Sequence, residues 1–340
     1  MIFEDTLNKL FNSEDLSFKE AECAMRSIMS GEVSEIALSA WLTAMKIKGE
    51  TADEVGGCAS EMNRHSYSVQ CTDSTVVDIV GTGGDGAKSF NISTASAFVA
   101  AGGGITVAKH GNRAVSSRSG AADVLSELGV NIMLTPEEMS ECLNEVGMAF
   151  LFAPNLHPAM KYAMPVRREL QTRTIFNILG PLCNPVHPRR ITVGVYNEDL
   201  CRLVAGALIK IGITHAMVVH GRDGMDEISI TAPTKICEVR NGEVTERDFN
   251  PVTYGIALGD PVEIQGGTPA ENAEIIEKIL YAKEMGAPRR IVLLNAASSF
   301  IVSGRAGNWK DALEMVAESI DSGKAAEKLD LLRSFSNSRT

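Results

Sequence analysis

The chain has 340 residues, 44% of them hydrophobic and 22% charged, with a formal net charge of −11. That length suffices for a large core and two domains. The acidic balance disfavours non-specific binding to nucleic acid or an anionic membrane, and no stretch reaches the roughly 18 uncharged apolar residues of a membrane helix.

Seven scattered cysteines, odd in number and without a C-x-x-C pair, point to a reducing cytoplasm and away from a disulfide framework or zinc site. The acidic, amphipathic start "MIFEDTLNKLFNSEDLSFKE" reads as neither signal nor transit peptide. Four amphipathic helical patterns follow one another at about 3–11, 17–30, 35–48 and 51–65. In the third, Ile36, Leu38, Leu42, Met45 and Ile47 recur at helical spacing, and Thr51 precedes Glu54 at capping-box spacing.

From "VVDIV" (76–80) the texture changes to short β-branched runs alternating with helices: "ITVA" (105–108), "MAFLF" (148–152), "ITVGV" (191–195) and "HAMVV" (215–219). Such alternation predicts a mostly parallel sheet covered by helices. "TKICEVRNGEVTERDF" predicts a hairpin turning at Asn241-Gly242, inside a small antiparallel excursion over 235–265. Helices return at 270–285, 288–303, 308–321 and about 323–333, and no internal repeat or low-complexity segment is found. The expected class is α/β: a small all-helical domain plus a larger domain with a mostly parallel central sheet flanked by helices.

The glycine loop "GTGGDGAKS" (81–89) follows the first strand and matches two phosphate-binding patterns imperfectly. As a dinucleotide fingerprint (Gly81, Gly83, Gly86) it lacks the acid expected about 20 residues on; none occurs between Asp85 and Asp123. As a P-loop it fails because Ala87 separates Gly86 from Lys88-Ser89. The loop still lets backbone N–H groups converge on an anion. Asn91 is then expected to cap a helix over 92–101 whose first turn carries Ser93 and Thr94.

After the next strand come Lys109, His110, Asn112 and Arg113, then Ser116, Ser117, Ser119 and Gly120 before the helix "AADVLSELG". Both polar loops fall at the carboxyl edge of the sheet, where open α/β folds bind ligands. Two acid-poor basic zones, 105–120 and 156–190, suit a small anion. Asp226 and Glu227, adjacent acids in "HGRDGMDEISI", have the chemistry of magnesium ligands completed by substrate phosphates. His110 and His157 could each be a base, but a lone histidine is more often a satisfied structural one. No nucleophile elbow or Ser-His-Asp order supports hydrolysis.

Taken together, "GTGGDG…NIST", "VAKHGNR…SS.SG.ADVL.ELG", "HPAMK…PVRREL…RTIFNILGPL.NP" and "HG.DG.DEIS" resemble the anthranilate phosphoribosyltransferases of tryptophan biosynthesis, over nearly the whole chain. The resemblance implies a helical domain of residues 1–72, completed by part of 156–190, and a phosphoribosyl-binding α/β domain of 73–155 and 191–340. It also implies a cytoplasmic homodimer joined through the helical domains. The reaction would transfer phosphoribosyl from 5-phosphoribosyl 1-diphosphate to the anthranilate amine with Mg2+, without a covalent enzyme intermediate, membrane or nucleic acid.

By position, the diphosphate and phosphoribosyl site would comprise Gly81, Gly83, Gly84, Asp85, Ser89, Asn91, Ser93, Thr94, Lys109, Ser117, Ser119 and Gly120. Anthranilate would meet Gly81, His110, Asn112, His157, Arg167 and Pro181. The metal ligands would be Ser93, Asp226 and Glu227, and the catalytic set Lys109, Arg167 and His110. Gln171 stands where many members have glycine, which puts the hinge there in question. A nucleoside phosphorylase of related fold would lack the paired acids, and an inactive nucleic-acid binder would be basic with eroded motifs. A transferase for another aromatic amine is the reading least excluded, since pocket shape sets acceptor choice.

Overall fold

The computed structural model describes residues 2–114 and 118–339. Four helices come first: α1 (Phe3–Phe11), α2 (Phe18–Met29), α3 (Glu35–Lys48) and α4 (Ala52–Arg64). Side-chain caps set three of their starts, with Ser17, Ser34 and Thr51 accepting from the N–H groups of Glu20, Ala37 and Glu54. Each cap satisfies a donor that the helix leaves unpaired. Glu54, fully buried, also accepts from the Leu16 N–H at 2.8 Å and from Lys48 Nζ at 2.9 Å, which ties the α1–α2 connection and the end of α3 to α4.

The apolar pattern of α3 is only half used. Leu38, Trp41, Leu42 and Met45 are buried, whereas Ile36 and Ile47 are 84% and 81% exposed.

Beyond the helices, β1 (Val77–Gly81), β2 (Val107–Gly111), β3 (Met148–Phe152), β4 (Arg190–Gly194), β5 (His215–Gly221), β6 (Thr234–Arg240) and β7 (Glu243–Phe249) form one sheet in the order β3-β2-β1-β4-β5-β6-β7. The first five strands are parallel. The hairpin turns at Asn241-Gly242 with φ of +51° and +86°, the pair of left-handed residues that a two-residue turn requires. It is no separate excursion, because β6 pairs with β5 along its length and makes the hairpin the antiparallel edge of the main sheet. The stretch beyond it forms short 3-10 turns at 251–254 and 261–264.

The covering helices are α5 (Ile92–Gly102), α6 (Ala121–Glu127), α7 (Pro136–Val146), α8 (Ala153–Leu156), α9 (Met164–Leu170), α10 (Phe176–Leu179), α11 (Leu200–Lys210), α12 (Pro269–Leu280), α13 (Ala287–Val302), α14 (Trp309–Asp321) and α15 (Lys324–Asn337). Sequence periodicity gave no bounds to α7 and α11, which fill intervals where the strand–helix alternation implies helices, although Thr135 and Glu138 make a capping box that marks the start of α7. It also carried α12 too far; the helix stops at Leu280, and Ala282 just beyond is left-handed at φ +56°.

The strand alternation divides the core. Met217, Val219 and Ile236 face the side covered by α5, α13, α14 and α15. Ala216, Val218, Cys237 and Val239 face α11 and the N-terminal helices. That second core also takes in Ala163, Val166, Ile175, Phe176, Leu179 and Leu182, so the 163–182 segment packs with helices encoded far ahead of it.

Gln171 ends α9 in a left-handed conformation, φ +44° and ψ +31°. An L-residue with a Cβ is strained there and glycine is not. Gln171→Gly is expected to stabilise the protein by about 1 kcal/mol in thermal or denaturant unfolding; an unchanged or lower midpoint would show the backbone carries no strain at that position.

Candidate active site

Strand order reverses between β1 and β4, and the crevice at such a switch point is where open α/β sheets take ligands. Both strands end in glycine, and Gly81 and Gly194 are register partners. The 223–227 loop lies directly on this pair. A Cβ on Gly81 would come within 2.6 Å of Asp226 Oδ2, and one on Gly194 would collide with the Asp226 carbonyl. Asp226 Oδ2 accepts the Gly83 N–H at 2.7 Å, with Gly83 and Gly84 at φ +66° and +73°. Asp85 Oδ2 faces the Asp226 N–H at 3.4 Å.

Opposite stands Lys109, 1% exposed, its Nζ donating to the Ile79 carbonyl at 2.8 Å and reaching Ser93 Oγ at 3.3 Å. Burial lowers the Lys109 pKa, against the raising pull of Asp78 and Glu227. Burial and the Asp85 charge push Asp226 up to about 7, and burial with Asp226 beside it holds Glu227 well above the usual carboxylate range. Acids crowded this way await a cation. Among the described residues no three His, Cys, Asp or Glu side chains close on one point. The donor set therefore fits an ion held by one or two carboxylates and completed by substrate oxygens, as magnesium commonly is. Thr94 Oγ1 is buried in the first turn of α5 with no hydrogen-bond partner among the described residues.

Asn91 stands at the expected N-cap position but does not cap α5 with its side chain. Its amide instead donates to the Ser119 carbonyl at 3.2 Å and accepts from Ser119 Oγ at 3.1 Å and Asn272 Nδ2 at 2.9 Å. The two polar loops are thereby joined through Asn91. Gly120 has no room for a side chain, because a Cβ would meet the Ala114 and Arg113 backbone. Ser89 pairs with Gln265 in an isolated antiparallel bridge. Ser116 and Ser117 fall outside the described residues.

His110 and His157, both buried, face each other with Nε2 atoms 3.3 Å apart. Burial depresses them to about 3 and about 4, His110 further by its partner, so both are neutral near pH 7 and one Nε2–H donates to the other Nε2. Pro181 is buried in the turn Gly180–Leu182. Arg167, on α9, lies against the Phe176 ring at 5.2 Å and Met164 Sδ at 3.9 Å, with no carboxylate partner among the described residues. Asn112 is exposed, its Oδ1 accepting the Arg113 N–H at 2.7 Å.

Residues that sequence reasoning passed over complete the frame. Arg173 stacks 3.9 Å from the Tyr196 ring centroid and donates to the Gly84 carbonyl. Asp78 and Asn184 bond to each other beneath the histidines at 2.8 Å. An acid inside an otherwise apolar strand, as in "VVDIV", is the signal that could have singled out Asp78.

The helical bundle and the sheet domain carrying the glycine loop correspond to the two parts of a glycosyl transferase. Residues 4–66 match the helical bundle domain of a glycosyl transferase family and residues 73–326 match its a/b domain. An anthranilate phosphoribosyltransferase of Pelotomaculum thermopropionicum is 48% identical over 334 residues, 98% of this chain and 96% of that one. Among solved structures, the anthranilate phosphoribosyltransferase of Thermus thermophilus superposes with a TM-score of 0.93 at 37% identity, covering 98% of this chain and 99% of that chain. The Saccharomyces cerevisiae enzyme in complex with PRPP and Mg follows at 0.90 and 28%, covering 99% and 98%; its complex with 4-fluoroanthranilate gives 0.86 and 27% with the same coverage. The chain belongs to the anthranilate phosphoribosyltransferase family.

The histidine pair gives a signed pH expectation. An imidazole whose folded pKa is depressed lends stability that is fully present above its unfolded value, about 6.5, and is lost as pH falls through the folded values of about 4 and about 3. His110→Gln with His157→Gln is expected to flatten the loss of unfolding free energy between pH 6.5 and 4; an unchanged slope would mean that the rings are protonated in the folded protein.

Proposed function

We propose that the protein transfers the phosphoribosyl group of 5-phosphoribosyl 1-diphosphate to the amine of anthranilate, releasing diphosphate in a Mg2+-dependent reaction. The observation that carries this reading is the crowding of Asp226, Glu227 and Asp85 against a glycine loop and a buried lysine at the sheet's switch point. Asp226 and Glu227, with Ser93, would hold the metal; when bound it neutralises charge on the departing diphosphate.

The remaining work falls to the chain itself. Gly81, Gly83, Gly84 and Asp85 line the diphosphate and ribose pocket, and the three glycines have no Cβ atom to bar close approach. Ser93, Thr94 and Lys109 hold phosphate oxygens, with Ser89, Asn91, Ser117, Ser119 and Gly120 in the same phosphoribosyl site. Arg167 offers a planar guanidinium, already desolvated and without an acid partner among the described residues, to the acceptor carboxylate. His110, His157, Asn112, Gly81 and Pro181 shape the acceptor's surroundings. The amine is largely unprotonated at neutral pH, so no strong general base is required and the neutral histidines orient rather than ionise. No protein nucleophile is needed. Catalysis comes from positioning two substrates and from stabilising leaving-group charge.

Domain closure belongs to the same proposal. Arg167 sits on the helical side of the cleft and the phosphate loops on the sheet edge, so movement about the connections near residue 171 would bring acceptor to donor and exclude water. A homodimer through the helical domain is supported by the bare face of α3. Ile36 and Ile47, with Phe11 beside them, border a groove of about 920 Å³ that would cover well with a second copy. Seven free thiols support a cytoplasmic setting, and among the described residues no helix is long and apolar enough to cross a membrane.

Anthranilate fluorescence is expected to fall only when enzyme, 5-phosphoribosyl 1-diphosphate and Mg2+ are all present, and EDTA is expected to stop it; loss without metal or without donor would overturn the reaction. In the same assay Arg167→Ala is expected to raise the anthranilate KM about tenfold or more, the scale of a lost charge-assisted bond, and an unchanged KM would remove Arg167 from the acceptor site. Ile36→Glu is expected to shift light-scattering mass from dimer toward monomer, whereas a mass insensitive to this change would place the interface elsewhere.

A further inference from the structure

The donor strands and the acceptor wall come from distant parts of the chain, and one buried cluster joins them. Asp78, in the middle of β1, is fully buried. One of its oxygens accepts the His110 N–H at 3.2 Å and the other accepts the Asn184 amide at 2.8 Å. The same Asn184 Nδ2 donates to the Ala108 carbonyl at 2.8 Å, and its Oδ1 accepts the Val186 N–H at 3.0 Å. Asn184 therefore pins the 180–184 segment onto β1 and β2 at once.

That segment carries Pro181 and also meets both histidine rings. The His110 ring lies beside the Gly180 backbone and the His157 ring beside the Cys183 backbone. His110 is thus held by its main chain through Asp78, and its ring lies against a segment that Asp78 holds via Asn184. The circuit closes when the two rings meet at 3.3 Å. A carboxylate inside a buried strand is costly, and burial raises this one to about 6 even with Lys109 nearby. An apolar side chain would avoid that cost but could not set the register of three segments.

We infer that Asp78 and Asn184 are a positioning pair for the acceptor half of the site: they fix the Gly180–Asn184 wall against β2 and so set the places of His110, His157 and Pro181 around an aromatic amine. The catalytic part of this inference rests on the proposed transfer reaction; the geometric part does not.

The test uses the full-length protein and four variants, Asn184→Ala, Asn184→Asp, Asp78→Asn and the exchange D78N/N184D. Asn184→Ala is expected to raise the anthranilate KM about tenfold while the 5-phosphoribosyl 1-diphosphate KM stays within about twofold, the scale of one buried bond left unmade. Asn184→Asp faces one carboxylate with another, so its anthranilate KM should improve toward acid pH, where the pair shares a proton. In Asp78→Asn an amide cannot accept from both His110 and Asn184, whichever way it is turned. The exchange restores a donor–acceptor pair but leaves the Ala108 carbonyl without its donor, so partial rescue is expected, with non-additive effects in the cycle.

Equal losses for both substrates, additive effects and no acid shift would reduce the pair to scaffolding and overturn the inference. A readout without turnover decides the geometric part even if the wild-type protein fails to consume anthranilate. The ring ¹⁵N shifts of His110 and His157 should change in Asn184→Ala, and unchanged shifts would overturn it. A variant too unstable to purify is replaced in this readout by Asp78→Asn, which predicts the same change.

Discussion

Everything at the site depends on two strand ends having no side chains. Gly81 and Gly194 lie side by side where the strand order reverses, and the Asp226 loop rests on the flat surface they leave. A methyl group on either would lift the loop, separate Asp226 from the Gly83 N–H, and open the acidic floor to water. The fold thus brings an acid from after β5 to the mouth of β1, some 140 residues earlier in the chain, by steric permission as much as by attraction.

The electrostatics of the site follow from that closeness. Asp226, Glu227 and Asp85, each half-buried, crowd together, and the buried Lys109 opposes them from beneath. Such an arrangement is unfavourable for the empty protein and favourable for a site that receives a cation and a polyanion together. The side proposed for the acceptor follows the opposite rule: two neutral histidines, a buried proline and an arginine with no acid partner among the described residues.

Much of this was legible in the residues, for physical reasons that differ by element. The helical bundle announced itself through capping boxes and 3.6-residue spacing, and the parallel sheet through β-branched runs punctuated by glycine. The donor loops were readable because close approach to a phosphate demands glycine and hydroxyl side chains at fixed offsets. Periodicity set no bounds for α7 and α11, which only the strand–helix alternation implied, and it failed for the exposed Ile36 and Ile47, since a pattern of apolar spacing does not say what will cover it. Asn91 illustrates the same limit. Its residue type and place argued for a helix cap, yet Ser119 and Asn272, distant in sequence, offered its amide better partners. The hairpin was seen but not its pairing with β5, because strand order is a long-range property.

The 163–182 segment joins a core that α1–α4 share with α11 and strands β4 to β6. During synthesis this has a temporal consequence. The four helices leave the ribosome with their shared apolar surface unfinished, and the residues that finish it follow only after three strands of the sheet have been made. At usual elongation rates the wait is on the order of ten seconds. The bundle is therefore early in the chain and late to mature, and the newborn N-terminus must remain soluble on its own charge until the returning segment arrives.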